Sequence, residues 1–189
     1  MGNTLRAFIA IPLPPDIVEL AVDLQLRLKS GGLKLRWVRS QAMHLTLKFL
    51  GDIPESQVDD LGGAMQRAGS GFGIVDLAAQ GMGVFPGIKR PRVLWLGIGG
   101  ETERLSRLHG RLDAELEQIG IAREKRPFRA HLTLARVKGA VNARLLLDAI
   151  QTQGQYAARP FQAQQMVLYQ SDLRPQGAVY TARAKVNLE

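Results

Sequence analysis

The chain has 189 residues, carries 25 Lys and Arg against 17 Asp and Glu, and contains no cysteine. The lack of thiols excludes a disulfide framework and a thiolate metal site, and nothing approaches the ~20 apolar residues of a membrane-spanning helix. The apolar stretch from Leu5 to Leu13 is interrupted by Pro12 and has no basic segment before it, so no secretory signal is read and a soluble intracellular protein is expected. The net charge of +8 favours a polyanionic partner such as nucleic acid without establishing one, because many basic proteins carry only a solvated surface.

In chain order, Leu5 to Ile11 is a short apolar run that reads as a buried strand. Asp16 to Lys29 places Ile17, Leu20, Ala21, Leu24 and Leu28 at helical spacing and is expected to form an amphipathic helix. Lys34, Arg36 and Arg39 then precede His44-Leu45-Thr46-Leu47, which reads as a strand. Pro54 to Ala68 reads as a helix and Phe72 to Val84 as a strand. A turn-rich basic stretch follows, from Pro86 to Pro91. The second half opens on the apolar run Arg92 to Ile98 and a leucine-periodic helix from Glu103 to Leu116. Arg123, Lys125, Arg126 and Arg129 come next and lead into a second copy of the tetrapeptide, His131-Leu132-Thr133-Leu134. Arg136 and Lys138 lie beyond it. Val141 to Gln155 reads as a helix and Arg159 to Ser171 as a strand, and the segment from Pro175 to Glu189 adds a strand as hairpin partner of Met166 to Ser171.

The two tetrapeptides lie 87 positions apart, and a shift by the same 87 lays each element of the first half onto its counterpart in the second. Each half reads strand, helix, His strand, helix, strand, with the division near Gly87. No low-complexity linker separates the halves, so the whole chain is read as one bilobal domain, with repeats over about 1–87 and 88–174 and a terminal strand over 175–189. Equivalent half-units commonly pack about a pseudo-twofold axis, which would turn the two His strands toward a shared cleft.

In an extended strand residues i and i+2 face the same way, so His44 shares a face with Thr46, and His131 with Thr133. The intervening leucines point the other way, into a core. On the same count Lys48 should share the face of His44, and Arg129 that of His131. Imidazole titrates near neutrality and serves as either base or acid, while Thr hydroxyls donate to phosphate oxygens. Two His and two Thr with cations around them therefore suit the opening of a cyclic phosphodiester. No metal or other cofactor is required by this scheme: a zinc site takes three or four protein ligands, and His109 belongs to a leucine-periodic helix. One copy of the tetrapeptide would be weak evidence, since His and Thr are ordinary strand residues. Trp37, Trp95 and Phe8 are candidates to stack on a base, with core packing favoured for Trp95 and Phe8.

Beyond the tetrapeptides, Arg36-Trp37-Val38, Lys48-Phe49-Leu50-Gly51, Phe85-Pro86, Arg90 to Trp95, Arg126 to Arg136 and Leu168 to Ser171 carry a resemblance along essentially the whole chain. It resembles the RNA 2′,3′-cyclic phosphodiesterases, long named 2′-5′ RNA ligases, of the two-histidine phosphoesterase superfamily. The resemblance implies an α+β fold in which two pseudo-symmetric lobes, each with an antiparallel sheet and helices, face the HxT strands toward a central cleft. It implies His131 as general base, His44 as general acid, and Thr46, Thr133 and Arg136 as contacts to the substrate phosphate, with a 2′-phosphate product. Strict alternation would put Arg136 on the face opposite His131, so a bulge, a strand end or its long side chain must return it. The implied partner is RNA or an oligonucleotide ending in a 2′,3′-cyclic phosphate, met by a cytoplasmic monomer with no membrane association. Two alternatives stand beside this reading: 2′-5′ ligation by the reverse reaction, and a non-catalytic basic RNA-binding module.

Overall fold

A computed structural model describes residues 3–175 and 177–189, as nine strands and four α-helices. The strands are β1 (Thr4–Ile11), β2 (Arg36–Trp37), β3 (Leu45–Pro54), β4 (Val75–Phe85), β5 (Val93–Gly100), β6 (His131–Arg136), β7 (Arg159–Ala163), β8 (Gln165–Arg174) and β9 (Gly177–Asn187). The helices are α1 (Pro15–Ser30), α2 (Val58–Gly69), α3 (Thr102–Gln118) and α4 (Ala143–Gln153). The fold is mixed α and β, its strands pairing antiparallel throughout. Helix starts follow local chemistry. Proline opens α1 with Asp16 in its first turn, where an absent N–H and a negative charge suit the unpaired amides. The Asn142 side chain accepts from the Leu145 N–H at 3.0 Å to cap α4.

The sheet runs β7-β4-β5-β6-β3-β1-β8-β9, with β2 added alongside β6. Its two four-stranded halves meet where β3 pairs with β6 through the single couple Leu45 and Leu132. The repeats exchange strands across this line. β4 comes from the first half of the sequence but pairs with β5, and β8 comes from the second half but pairs with β1. The repeat boundary near Gly87 therefore does not coincide with the seam between the half-sheets. Two elements differ from the sequence reading. Arg159 to Ser171 is two strands rather than one, since β7 pairs with β4 and β8 with β1 across the sheet. Arg36–Trp37 forms a short extra strand against β6. The terminal hairpin forms as expected, β9 pairing with β8 along its length; Gln176 in its turn lies outside the described residues.

All four helices send apolar side chains into one core, which also takes Leu45 and Leu47 of β3 and Leu132 and Leu134 of β6. The leucine faces of both His strands are thereby buried under helices, and the opposite face is left open. Lys48 does not share the open face. A register shift against β1 between Ile9 and Ala10 leaves Leu47 without a partner, and such a bulge reverses the alternation that follows it. Lys48 turns into the core, where it pairs with Asp113 of α3 and donates to the Ala122 carbonyl at 2.7 Å. Asp113 also accepts from the Glu124 N–H at 3.0 Å. His109 lies on α3 as the periodicity implied, and its ring stacks on Phe128 at 4.4 Å. The loop leading to the second His strand is thus pinned at Ala122, Glu124 and Phe128.

Removing one partner of a buried ion pair leaves an uncompensated charge and costs roughly 3–5 kcal/mol. Lys48→Met should lower stability to urea by that order. Lys48→Met with Asp113→Leu should recover much of the loss. A single variant as stable as the parent would mean that the pair does not hold the loop.

Candidate active site

The couple between Leu45 and Leu132 sets the site. In an antiparallel pair the neighbours of that couple bring His44 alongside Thr133 and Thr46 alongside His131, all on the face that the leucines avoid. Each motif thus supplies a His to the Thr of the other. All four side chains are half-buried; His44, Thr46 and Thr133 line one cavity, while His131 lies outside its lining.

Arg136 is brought to the same face by a bulge. The β5–β6 register passes from Leu94 opposite Ala135 to Trp95 opposite Thr133, so Leu134 has no partner and Ala135 is buried in its turn. Arg136 then emerges beside Thr133, and both line the cavity next to His44. The carbonyl of the bulged Leu134 accepts from the Val38 N–H at 2.9 Å and from the Gln25 side chain at 2.8 Å. Gln25 also donates to the Val38 carbonyl at 2.8 Å and is itself buried. This side chain was not singled out from the sequence. Its signal was a lone amide on the apolar stripe of a helix.

The two histidines sit in different surroundings. The His44 ring stacks on Phe8 at 4.5 Å between centroids and meets Tyr180 edge-on at 5.3 Å. Phe8 is in turn stacked on Tyr169 at 5.3 Å. Burial in this aromatic box lowers the His44 pKa from 6.5 to about 4, against an opposing contribution from a hydrogen bond to the Ala42 backbone. His131 has a more open setting. Its Nδ1 is 2.7 Å from the Arg129 carbonyl; when that nitrogen carries the proton, Nε2 is left as the free acceptor. Phe85 lies edge-on to His131 at 5.0 Å, with the Arg129 guanidinium over its outer face at 5.9 Å. Arg129 thus reaches the His131 side of the cleft from the coil before β6. Trp95 backs Phe85 at 5.2 Å, and its ring crosses Gly83 so closely that a Cβ there would lie 2.3 Å from it.

The cavity of about 430 Å³ beside His44 is lined by Thr46, Thr133, Arg136 and Tyr180, and also by Arg6, Arg36 and Arg39. Trp37 and Phe8 both line it, Phe8 as a buried ring stacked on His44. Of the basic residues that flank the motifs, Arg123 and Arg126 are engaged with Glu117 and Glu124 at the surface. Arg6 was missed in the sequence because it belongs to β1, far from either motif along the chain.

Comparison with known proteins agrees with this architecture. The family model described as LigT like phosphoesterase matches twice, over residues 11–95 and again over 97–180, so each repeat satisfies it separately. An RNA 2′,3′-cyclic phosphodiesterase of Methanothermobacter thermautotrophicus is 31% identical over 94% of this chain and 95% of its own. One from Aeropyrum pernix is 32% identical over 79% of this chain and 84% of its own. Among solved structures, the protein TT0787 of Thermus thermophilus superposes with a TM-score of 0.80 at 27% identity, covering 97% of this chain and 98% of the other.

A depressed His pKa favours the folded state while the group is neutral. That contribution is present above the unfolded value of 6.5 and is lost progressively as pH falls toward about 4, for a total of roughly 3 kcal/mol. His44→Phe should abolish this part of the acid sensitivity. Urea unfolding of parent and variant between pH 7 and 4 reads the difference, and parallel stability curves would show that His44 is not held neutral by the box.

Proposed function

The chain belongs to the LigT-like phosphoesterase family, and on that footing we propose that it is a metal-independent RNA 2′,3′-cyclic phosphodiesterase that opens the ring to leave a 2′-phosphate. The observation that carries the reading is the antiparallel meeting of the two HxT faces around Leu45 and Leu132, with Arg136 returned to the same face by its bulge. The relatives named RNA 2′,3′-cyclic phosphodiesterase support the substrate class.

In this mechanism the cyclic phosphate lies between the histidines. Nε2 of His131 takes a proton from water as the water oxygen bonds to phosphorus, and the bond from phosphorus to O3′ breaks with a proton passing from His44 to O3′. The 2′ bond is untouched. Thr46 and Thr133 donate to the non-bridging oxygens and Arg136 neutralises their charge. A general acid must hold its proton, and the aromatic box opposes this while the cleft is empty. An anionic phosphate alongside favours the imidazolium, so substrate binding itself charges His44. With the 5′-hydroxyl of a second RNA in the place of water, the same groups would form the bond from O5′ to phosphorus as the bond to O3′ breaks and takes up a proton, leaving a 2′-5′ diester, which is the ligation alternative. The reading carries with it a monomeric enzyme working in the cytoplasm. No helix among the described residues is long and apolar enough to cross a membrane.

With an oligonucleotide ending in a 2′,3′-cyclic phosphate, the protein should release 2′-phosphate ends, and chelator should leave the rate unchanged. His44→Ala and His131→Ala should each slow turnover about a hundredfold or more while the melting transition persists. Loss of activity on chelation would revive a metal centre, and a fully active histidine variant would remove that residue from the mechanism. Binding without turnover would mark a non-catalytic RNA-binding module.

A further inference from the structure

Arg36 and Arg136 are direct partners across the β2–β6 ladder. Like charges placed opposite one another destabilise a sheet pairing, and among the described residues no carboxylate lines the cavity to offset them. Arg39 approaches from the same wall. Its guanidinium lies across Gly177, donating to the Ala178 carbonyl at 2.8 Å. The charges of Arg39 and Arg136 both reach the Tyr180 hydroxyl, opposing the burial that raises its pKa. Arg6 comes from the other side, two residues along β1 from Phe8. Among the described residues, none of these four arginines makes an ion pair with a carboxylate. One phosphate between the histidines requires Arg136. It leaves three guanidiniums over.

The geometry points to a second anionic subsite, formed by Arg6, Arg36 and Arg39, that takes the internucleotide phosphate one step before the cyclic end. The inference rests on the cyclic phosphodiesterase reading and deepens it: the preferred substrate is an oligonucleotide rather than a mononucleotide. The rim of the cavity suits the nucleoside between the two phosphates. Phe49 and Leu173 line it with 67% and 71% of their surface exposed, and an exposed aromatic ring is a sequence-tolerant platform for a base. Phe49 occupies in the first repeat the place that Arg136 occupies in the second, and the same kind of bulge turns both toward the cleft.

The test compares kcat/KM for a nucleoside 2′,3′-cyclic phosphate with that for a dinucleotide bearing the same cyclic end. The dinucleotide should be preferred by on the order of tenfold or more, and its log–log salt dependence should be steeper by about 0.7, the value for one further single-strand phosphate contact. A methylphosphonate at the internucleotide position, which removes the charge and keeps the nucleoside, should erase most of the preference. Arg6→Ala and Arg36→Ala should each pull the ratio of the two substrates toward one. Arg39 is a poorer probe because it also holds the β8–β9 hairpin. Equal kcat/KM for mononucleotide and dinucleotide, or a methylphosphonate handled as well as the phosphodiester, would overturn the subsite while leaving the hydrolase reading in place. Failure of the parent protein to turn over either substrate would overturn both.

Discussion

The pairing of Leu45 with Leu132 is the constraint on which the site depends. Because the two strands run antiparallel about this couple, each His is delivered to the Thr of the opposite motif, and neither motif could assemble the quartet alone. The leucines supply the force that holds the pairing in register. Both are fully buried, and slipping either strand by one residue would expose a leucine and drive a His or Thr into the core. Burial of two apolar side chains thus fixes the placement of four polar ones.

Strand exchange reinforces the same seam. Since β4 and β8 each pair with the first strand of the other repeat, the two repeats cannot separate without breaking the long β4–β5 and β1–β8 ladders, and the chain itself crosses the seam to reach each of them. Only one pair therefore needs to join β3 to β6, and the strands are free to diverge on either side of it. The buried Lys48–Asp113 pair and the Gln25 amide act locally on the same strands. One fixes the loop that leads into His131, the other the bulge that follows Thr133.

Much of this was legible in the amino-acid sequence because it rests on periodicity. The helices, the leucine faces and the shared faces of His44 with Thr46 and of His131 with Thr133 follow from spacings of about 3.6 and 2. What was not legible rests on departures from those periods. A bulge has no signature in a single sequence, so Lys48 was expected on the open face and lies in the core, while Arg136 was expected to need a correction whose nature only the register reveals. The exchange of β4 and β8 was equally hidden, since local patterns carry no information on which edge a strand will choose. Gln25 and Arg6 escaped notice because their partners are distant in sequence.

The bulges have a further consequence. A duplicated cleft with perfect twofold symmetry would present the same surroundings to a ligand entering from either end and would hold it equally well in two opposed orientations. Here the backbone keeps the symmetry and the side chains break it. At equivalent places the structure sets Phe49 against Arg136, and an aromatic box around one histidine against an open edge beside the other. The cleft thereby has a polarity: a chain molecule with distinguishable ends has one direction in which its charges meet guanidinium and its flat surfaces meet rings, and the reversed direction mismatches both.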